Sequence, residues 1–348
     1  MKTNPGRFFE DFRLGERIRH ATPRTVTAAD AALYTALYGS RFAVQSSDAF
    51  AQAIGYPASP LDDWLVFHVV FGKTVPDISL NAVANLGYAD GRFLKPVFPG
   101  ATLSAVSEVI GLKESSSRQT GVVYVRSTGL DEAGEPVLSY CRWVLVRKRD
   151  ASASSPGEHI PVLPEAVDPS VLGAACPPLD AAAYDADLAG SPHRWGDYQA
   201  GERIDHVDGM TVEEAEHQLA TRLYQNTARV HFDAHAAKES RFGRRLIYGG
   251  HVISLARALS FNGLANAFHV AAINGGRHVA PLFAGDTVFA WSEVLDTAEL
   301  DGRADVGGLR LRTIATKNEP CGRFPDRAGE STDPAVILDL DYWVLVPR

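Results

Sequence analysis

The chain contains two copies of one sequence pattern, 186 residues apart. Residues 12–20 (FRLGERIRH) recur as residues 198–206 (YQAGERIDH), and residues 96–102 (PVFPGAT) recur as residues 281–287 (PLFAGDT). Each copy closes on the same four residues, WVLV, which begin at Trp143 and at Trp343. Because these blocks recur in one order, with a larger shift in spacing only before the last block, we infer two copies of one fold unit. Duplication frees one copy from catalysis, so positions at which the copies differ are of functional interest.

The length of 348 residues fits two domains that each bury a core. We assign residues 1–150 to the first unit, residues 151–193 to a linker rich in Ala, Ser and Pro, and residues 194–348 to the second unit. A linker this long predicts a connection that crosses the surface of a pseudo-dimer to reach the start of the second unit.

Each unit ends in sequence that is typical of β-strands. Residues 122–127 and 137–146 alternate apolar with polar side chains around a DEAGE turn, which predicts a β-hairpin. Residues 309–316 and 335–346 form the corresponding pair in the second unit. After Gly249 and Gly250, apolar residues at 252, 255, 256 and 259 predict a helix with one apolar face. We expect an α+β fold in which a long antiparallel sheet wraps this helix.

The composition excludes several classes of protein. With 42 acidic and 34 basic residues the net charge is −8, which opposes a nucleic-acid partner. The three cysteines are widely spaced, so no disulfide framework and no zinc site is predicted. No secretory signal and no membrane-spanning segment is apparent. We therefore expect a cytoplasmic protein without a metal, and the chain is compatible with a homo-oligomer.

Three segments of the second copy carry a resemblance to a known family. They are residues 223–233 (LYQNTARVHFD), Tyr248-Gly249, and residues 281–288 (PLFAGDTV). Together they resemble the MaoC-like hydratases, in which an Asp and a His precede a His-Gly step before a central helix. The resemblance implies a tandem, or double, hotdog fold packed as a pseudo-dimer. The family's aspartate falls on Asn226 and its His-Gly on Tyr248-Gly249, whereas His231 is retained.

The first copy departs further from the family pattern. Ser40 stands at the aspartate position and Gln45 at the histidine position, so this copy is expected to be catalytically silent and to shape the acyl pocket. Residues 1–12, 38–42 and 71–81 most resemble the family members that hydrate mesaconyl-CoA (2-methylfumaryl-CoA) to β-methylmalyl-CoA. The resemblance thus implies a hydro-lyase whose substrate is a CoA thioester and which needs no other cofactor.

His231 is the predicted proton-transfer residue. An unperturbed imidazole has a pKa near 6.5 and can take and return a proton at neutral pH, which the addition of water to a double bond requires. Asn226 leaves two interpretations open: its amide positions the attacking water, or its side chain fixes the backbone of the loop. An amide accepts no proton, so Asp62 and Asp63 of the silent copy are candidates for a second acid.

Gly249 and two arginines complete the predicted site. Gly249 opens the central helix, where a free N–H group can stabilise charge on the thioester oxygen; tight packing is the alternative reason for this glycine. Arg229, two residues before His231, or Arg41 of the other copy is predicted to bind the free carboxylate of mesaconyl-CoA, although a solvated surface arginine is the alternative.

Three other functions remain open at the level of sequence. The chain could hydrate another (R)-specific enoyl-CoA, hydrolyse an acyl-CoA thioester on the same fold, or bind an acyl-CoA without catalysis. The loss of the aspartate and the silent first copy make the third plausible.

Overall fold

The structure, a computed structural model, describes residues 2–328 and 331–348. The strands that build the sheets are β1 (Arg17–Thr25), β2 (Ala82–Phe93), β3 (Thr102–Glu114), β4 (Thr120–Leu130), β5 (Pro136–Arg147), β6 (Arg203–Thr211), β7 (His269–His278), β8 (Thr287–Leu300), β9 (Arg303–Lys317), β10 (Arg327–Ala328), β11 (Ser331–Thr332) and β12 (Val336–Pro347). The α-helices are α1 (Ala28–Tyr38), α2 (Ala43–Ser46), α3 (Asp48–Ala53), α4 (Asp63–Thr74), α5 (Ala186–Ala189), α6 (Glu214–Leu223), α7 (Arg229–Phe232), α8 (Ala234–Ala237), α9 (Gly249–Leu259) and α10 (Phe261–Leu264). Shorter helical turns lie at Phe9–Asp11, Val75–Ser79, Pro169–Ala175 and Trp195–Asp197.

One ten-stranded antiparallel sheet runs through both copies, in the order β1-β3-β4-β5-β2-β7-β12-β9-β8-β6. The order of the second half is the order of the first half reversed, so the two copies share one topology. They join where β2 pairs with β7, with Tyr88 opposite Gly276 and Arg92 opposite Ala272. The predicted hairpin is confirmed as β4 and β5, and its counterpart as β9 and β12.

Each copy wraps its sheet around one central helix, α4 in the first copy and α9 in the second. Along β4, buried and half-buried residues alternate strictly, as expected of a strand with one face on the core. All residues of α4 are buried, and α9 is buried from Gly250 onwards. The helix predicted from the apolar positions 252, 255, 256 and 259 is thereby confirmed.

Equivalent residues of the two copies meet each other between the central helices. The hydroxyl groups of Tyr38 and Tyr224, which are 186 positions apart, lie 2.7 Å from each other. His68 Nε2 lies 2.9 Å from Ser254 Oγ, again across 186 positions. Contacts between equivalent positions are the mark of a two-fold interface. The duplicated chain therefore forms a pseudo-dimer within one polypeptide.

The segment between the copies packs against both of them, and on the first copy His159 exchanges backbone hydrogen bonds with Leu112. Leu172, Cys176 and Tyr184 are buried in a cluster with Phe268 and Trp343. The segment thus covers apolar surface of the second copy as it crosses to the start of β6.

In the described part of the chain, no helix is long and apolar enough to cross a membrane. Among the same residues, no group of three or more His, Cys, Asp and Glu side chains is arranged to hold a metal ion.

Candidate active site

The loop between α6 and α8 presents His231. Asn226 Oδ1 accepts the N–H of Ala228 at 3.0 Å, which turns the chain into the short helix α7. Asp233 then accepts the N–H groups of His235 and Ala236 and begins α8. Asp233 is therefore the N-cap of α8. His231 stands in α7, held on both sides by these two turns.

The hydrogen bonds of His231 define its protonation. Its Nδ1 lies 2.9 Å from the carbonyl oxygen of Leu246, so Nδ1–H donates and Nε2 carries the lone pair. No described residue forms a hydrogen bond with this Nε2. The ring packs against Tyr248, with centroids 5.5 Å apart, and against His217 at 6.1 Å. Burial lowers the pKa of His231 to about 4, so the imidazole is neutral and able to accept a proton at neutral pH.

The N-terminus of α9 lies beside this imidazole. The N–H of Tyr248, the cap residue, donates to His217 Nε2 at 2.8 Å. The N–H of Gly249 has no partner among the described residues, as expected for the first residue of a helix. Because the helix dipole adds positive potential at this end, the Gly249 N–H is suited to stabilise a developing oxyanion.

A second imidazole, His278 at the end of β7, packs on Gly249. A Cβ atom at Gly249 would lie 2.4–2.5 Å from three atoms of the His278 ring. His278 Nε2 is 3.2 Å from the hydroxyl of Tyr88, which belongs to β2 of the first copy. Burial and the neighbouring His231 lower the pKa of His278 to about 4. The prediction from sequence missed His278. Its counterpart in the first copy, 185 positions earlier, is Phe93, so His278 is also a histidine that only the second copy has. The comparison of copies that identified His231 would therefore have identified His278.

A network of buried hydroxyl and imidazole groups lies behind the site. Tyr38 bonds to His251 Nδ1 at 2.9 Å, and Tyr34 donates to Ser254 Oγ at 2.9 Å. The Tyr248 hydroxyl lies 3.4 Å from His68 Nδ1. These bonds join α1, α4 and α9, and they fix the position of the α9 N-terminus relative to the silent copy.

A cleft of about 560 Å³ borders the loop that carries His231. The first copy contributes Thr22, Gly72 and Lys73 to its wall, and the second copy contributes Asn226 and Phe232 among others. This volume falls within the range of small-molecule sites. Asn226 therefore lines this cleft, while its Oδ1 also fixes the loop, so both interpretations of this residue are compatible with its position.

Asp62 and Asp63 do not lie at this site. Asp63 accepts the N–H of Val270 at 2.8 Å and contacts His269, both at the start of β7. His278 stands eight residues further along the same strand, about 25 Å away at the rise of a β-strand. Asp62 caps α4 by accepting the Trp64 N–H at 2.9 Å. The expectation that either carboxylate supplies an acid to His231 is therefore corrected by the direction of β7.

The remaining predicted residues are placed as follows. Arg229 is exposed on α7 and forms no ion pair with the described residues. Arg41 is exposed and stacks on the ring of Phe261, 4.4 Å from its centroid. Neither is among the residues that line the cleft, and neither His231 nor Gly249 is among them. Gln45, the counterpart of His231, donates from Nε2 to the carbonyl oxygen of Phe268 at 2.7 Å and thus ties the silent copy to its partner.

We predict that Gly249→Ala disturbs the site through His278. The added Cβ would overlap the imidazole ring, which must turn away and lose its contact with Tyr88. Overpacking of this kind lowers the free energy of unfolding by about 1–3 kcal/mol. We expect kcat to fall as well, as measured by steady-state kinetics alongside thermal unfolding. Gly196→Ala is the matched control, since an exposed Cβ there meets no atom within 4 Å; equal behaviour of both variants would contradict the close packing of His278 on Gly249.

Comparison with known proteins identifies the family. Residues 2–322 match the mesaconyl-CoA hydratase family. The chain is 61% identical to β-methylmalyl-CoA dehydratase of Chloroflexus aurantiacus, over all of this chain and 99% of that one. It is 62% identical to mesaconyl-CoA hydratase of Cereibacter sphaeroides, with complete coverage of both.

Solved structures agree with the assignment. A MaoC domain protein dehydratase from Chloroflexus aurantiacus has a TM-score of 0.97 at 61% identity and covers all of this chain and 99% of that one. A Mycobacterium tuberculosis protein described as a double hotdog fold has a TM-score of 0.79 at 24% identity, over 99% of both chains. The predicted double hotdog fold is thereby confirmed, and the chain belongs to the mesaconyl-CoA hydratase family.

Proposed function

We propose that this protein catalyses the reversible hydration of mesaconyl-CoA to β-methylmalyl-CoA. The observation that carries the proposal is the neutral His231, whose Nε2 accepts no hydrogen bond from the described residues and which lies beside the N-terminus of α9. The names of the two relatives that share 61–62% identity with this chain supply the substrate.

The proposed reaction uses the chain's own groups. The thioester carbonyl oxygen accepts the Gly249 N–H, and His231 Nε2 takes a proton from water as the water oxygen bonds to the β-carbon of the double bond. The electron pair of that double bond moves towards the thioester, whose oxygen gains negative charge that the Gly249 N–H stabilises. His231 then returns its proton to the α-carbon, so water is added with no net change in the enzyme. Dehydration is the same sequence reversed.

We propose that Asn226 holds the attacking water by its amide Nδ2, while Oδ1 remains bonded to Ala228. Asn226→Asp keeps the oxygen that fixes the loop, and Asn226→Ala loses it. We therefore expect Asn226→Ala to lower kcat about tenfold or more, with a loss of about 1 kcal/mol in unfolding free energy, and Asn226→Asp to keep part of the activity and nearly all of the stability. Thr227→Ala, at an exposed neighbour on the same cleft, is the control. Full activity of Asn226→Ala would remove the residue from the mechanism.

Product analysis tests the function. The protein is incubated with a panel of enoyl-CoA thioesters while the absorbance of the conjugated thioester is followed and the products are separated. Formation of a hydroxyacyl-CoA from mesaconyl-CoA supports the proposal. A preference for an unsubstituted enoyl-CoA would show that the protein is a hydratase with a different substrate. Release of free CoA would indicate a thioesterase, and tight binding without any product would indicate an acyl-CoA-binding protein.

A further inference from the structure

Lys73 is a buried cation that the proposed chemistry does not use. It stands in the last turn of α4, in the silent copy, and only 3% of its surface is exposed. Its Nζ donates to the carbonyl oxygen of Thr22, and it forms no ion pair with any residue that the structure describes. The charged residue whose field acts on it most is Arg24, which is itself a cation.

An ammonium group in this position is costly. Burial and the nearby Arg24 lower the pKa of Lys73 to about 8, which shows that the surroundings disfavour its charge. The other buried lysine, Lys148, has a counter-charge, because Glu114 Oε1 lies 2.6 Å from its Nζ. At the equivalent position of the second copy the chain has Leu259, a buried apolar residue. The fold of this unit therefore accepts an uncharged side chain where the first copy keeps an unpaired ammonium.

The local backbone directs Lys73 to the cleft. A Cβ atom at the preceding Gly72 would lie 1.9 Å from the carbonyl oxygen of Tyr224, so only glycine lets α4 approach the loop that leads to Asn226. On the other side, the pairing of β1 with β3 shifts in register between His20 and Arg24, and the strand segment that holds Thr22 leaves the regular ladder. Lys73 and Asn226 consequently line the same cleft from opposite copies.

We propose that Lys73 is the cation of an anion-binding subsite in this cleft, and that the anion is the free carboxylate of the acyl group. A carboxylate would supply the counter-charge that no described residue gives Lys73, and it would make a strong charge-assisted hydrogen bond with the ammonium group. The phosphate groups of CoA are the second source of an anion. This inference rests on the proposed function and assigns the carboxylate to Lys73 in place of the exposed Arg229 and Arg41.

Binding is measured first in the His231→Gln background, in which turnover is expected to be about 10²–10⁴-fold slower. Titration calorimetry compares mesaconyl-CoA with tiglyl-CoA, which keeps the 2-methyl group and has a methyl group in place of the carboxylate. We expect Lys73→Met to weaken binding of mesaconyl-CoA by about 10²-fold or more and to leave binding of tiglyl-CoA nearly unchanged. Lys73→Arg, which keeps the charge, should retain part of the preference.

The pantetheine thioester of mesaconic acid separates the two sources of the anion. If Lys73 binds the carboxylate, Lys73→Met weakens this phosphate-free ligand as strongly as it weakens mesaconyl-CoA. If Lys73→Met weakens both CoA thioesters and spares the pantetheine thioester, the anion is a CoA phosphate and the carboxylate assignment is overturned. Equal losses for all three ligands, or no loss for any, would overturn the anion subsite itself.

Stability distinguishes a binding role from a structural one. We expect Lys73→Met to unfold at the same or a higher denaturant concentration than the parent protein, because it removes an unpaired buried charge. Lys148→Met is the matched control and should lower stability without changing the ratio of the two affinities. If Lys73→Met lowers stability as much as Lys148→Met does and the ratio is unchanged, Lys73 is structural.

The proposed function can fail separately from this inference. If the parent protein with His231 forms no hydroxyacyl-CoA, the proposed hydratase function is wrong. The calorimetric comparison of mesaconyl-CoA with tiglyl-CoA still tests whether Lys73 binds the carboxylate. If it hydrates mesaconyl-CoA and Lys73→Met keeps the preference, only the subsite is wrong.

Discussion

Replacement of His231 by glutamine is expected to lower kcat for hydration by about 10²–10⁴-fold, the usual contribution of a proton-transfer group. Glutamine is the residue that the silent copy carries at the equivalent position, Gln45, so the change reproduces a difference that the duplicated fold already tolerates. The loss arises because an amide cannot take the proton that His231 Nε2 takes from water. Initial rates with mesaconyl-CoA measure it.

Gln45→Ala provides the control for this variant. Gln45 contacts the carbonyl oxygen of Phe268 rather than any group at the α9 N-terminus, so its removal should reduce stability modestly and leave kcat within a fewfold of the parent value. The neutral form of His231 is required, and its pKa is about 4, so we expect titration of this residue to cause no loss of kcat/KM on the acid side at any pH at which the protein remains folded. If His231→Gln and Gln45→Ala lose equal activity, the assignment of catalysis to the second copy is wrong.

Acidification below about pH 6.5 is expected to destabilise the fold strongly. Burial lowers the pKa of several histidines to between about 2 and 4, namely His68, His206, His217, His231, His251 and His278. The unfolded chain, with pKa values near 6.5, binds these protons first, so the stability that they contribute is fully present above about pH 6.5 and is lost as the pH falls towards 4. At pH 5 each histidine lowers the free energy of unfolding by about 2 kcal/mol. Even half of the summed loss is comparable to the whole unfolding free energy of a typical domain.

Denaturant unfolding at a series of pH values measures this effect. Several protons should be taken up on unfolding between pH 6.5 and 5, as calculated from the slope of the unfolding free energy against pH. Asp62 acts in the opposite direction, because burial raises its pKa to about 6, but it is a single group. His206→Asn, away from the active site between Ser292 and Asn262, should reduce the uptake by about one proton. An uptake of one proton or fewer in the parent protein would show that the histidines are solvated.

The repeat and the alternation of apolar residues were sufficient to predict most of the fold. The hairpin β4–β5, the central helix α9 and the doubling of the unit depend on patterns of period 2 or 3.6 and on internal similarity, all of which are local properties of the chain. The same comparison of copies drew attention to His231, because only one copy has an imidazole there.

The sequence by itself determined the two-copy architecture, the family and the histidine of the second copy. Only the tertiary structure decided which groups surround that histidine. His278 meets Tyr88 across 190 positions, and Lys73 shares a cleft with Asn226, because β2 pairs with β7 and α4 packs on the 224–226 loop. The direction of β7 likewise removed Asp62 and Asp63 from the site. Such contacts depend on strand register and on the packing of one copy against the other, and a register shift of one residue reverses the face of every side chain, so no local pattern in the sequence specifies them.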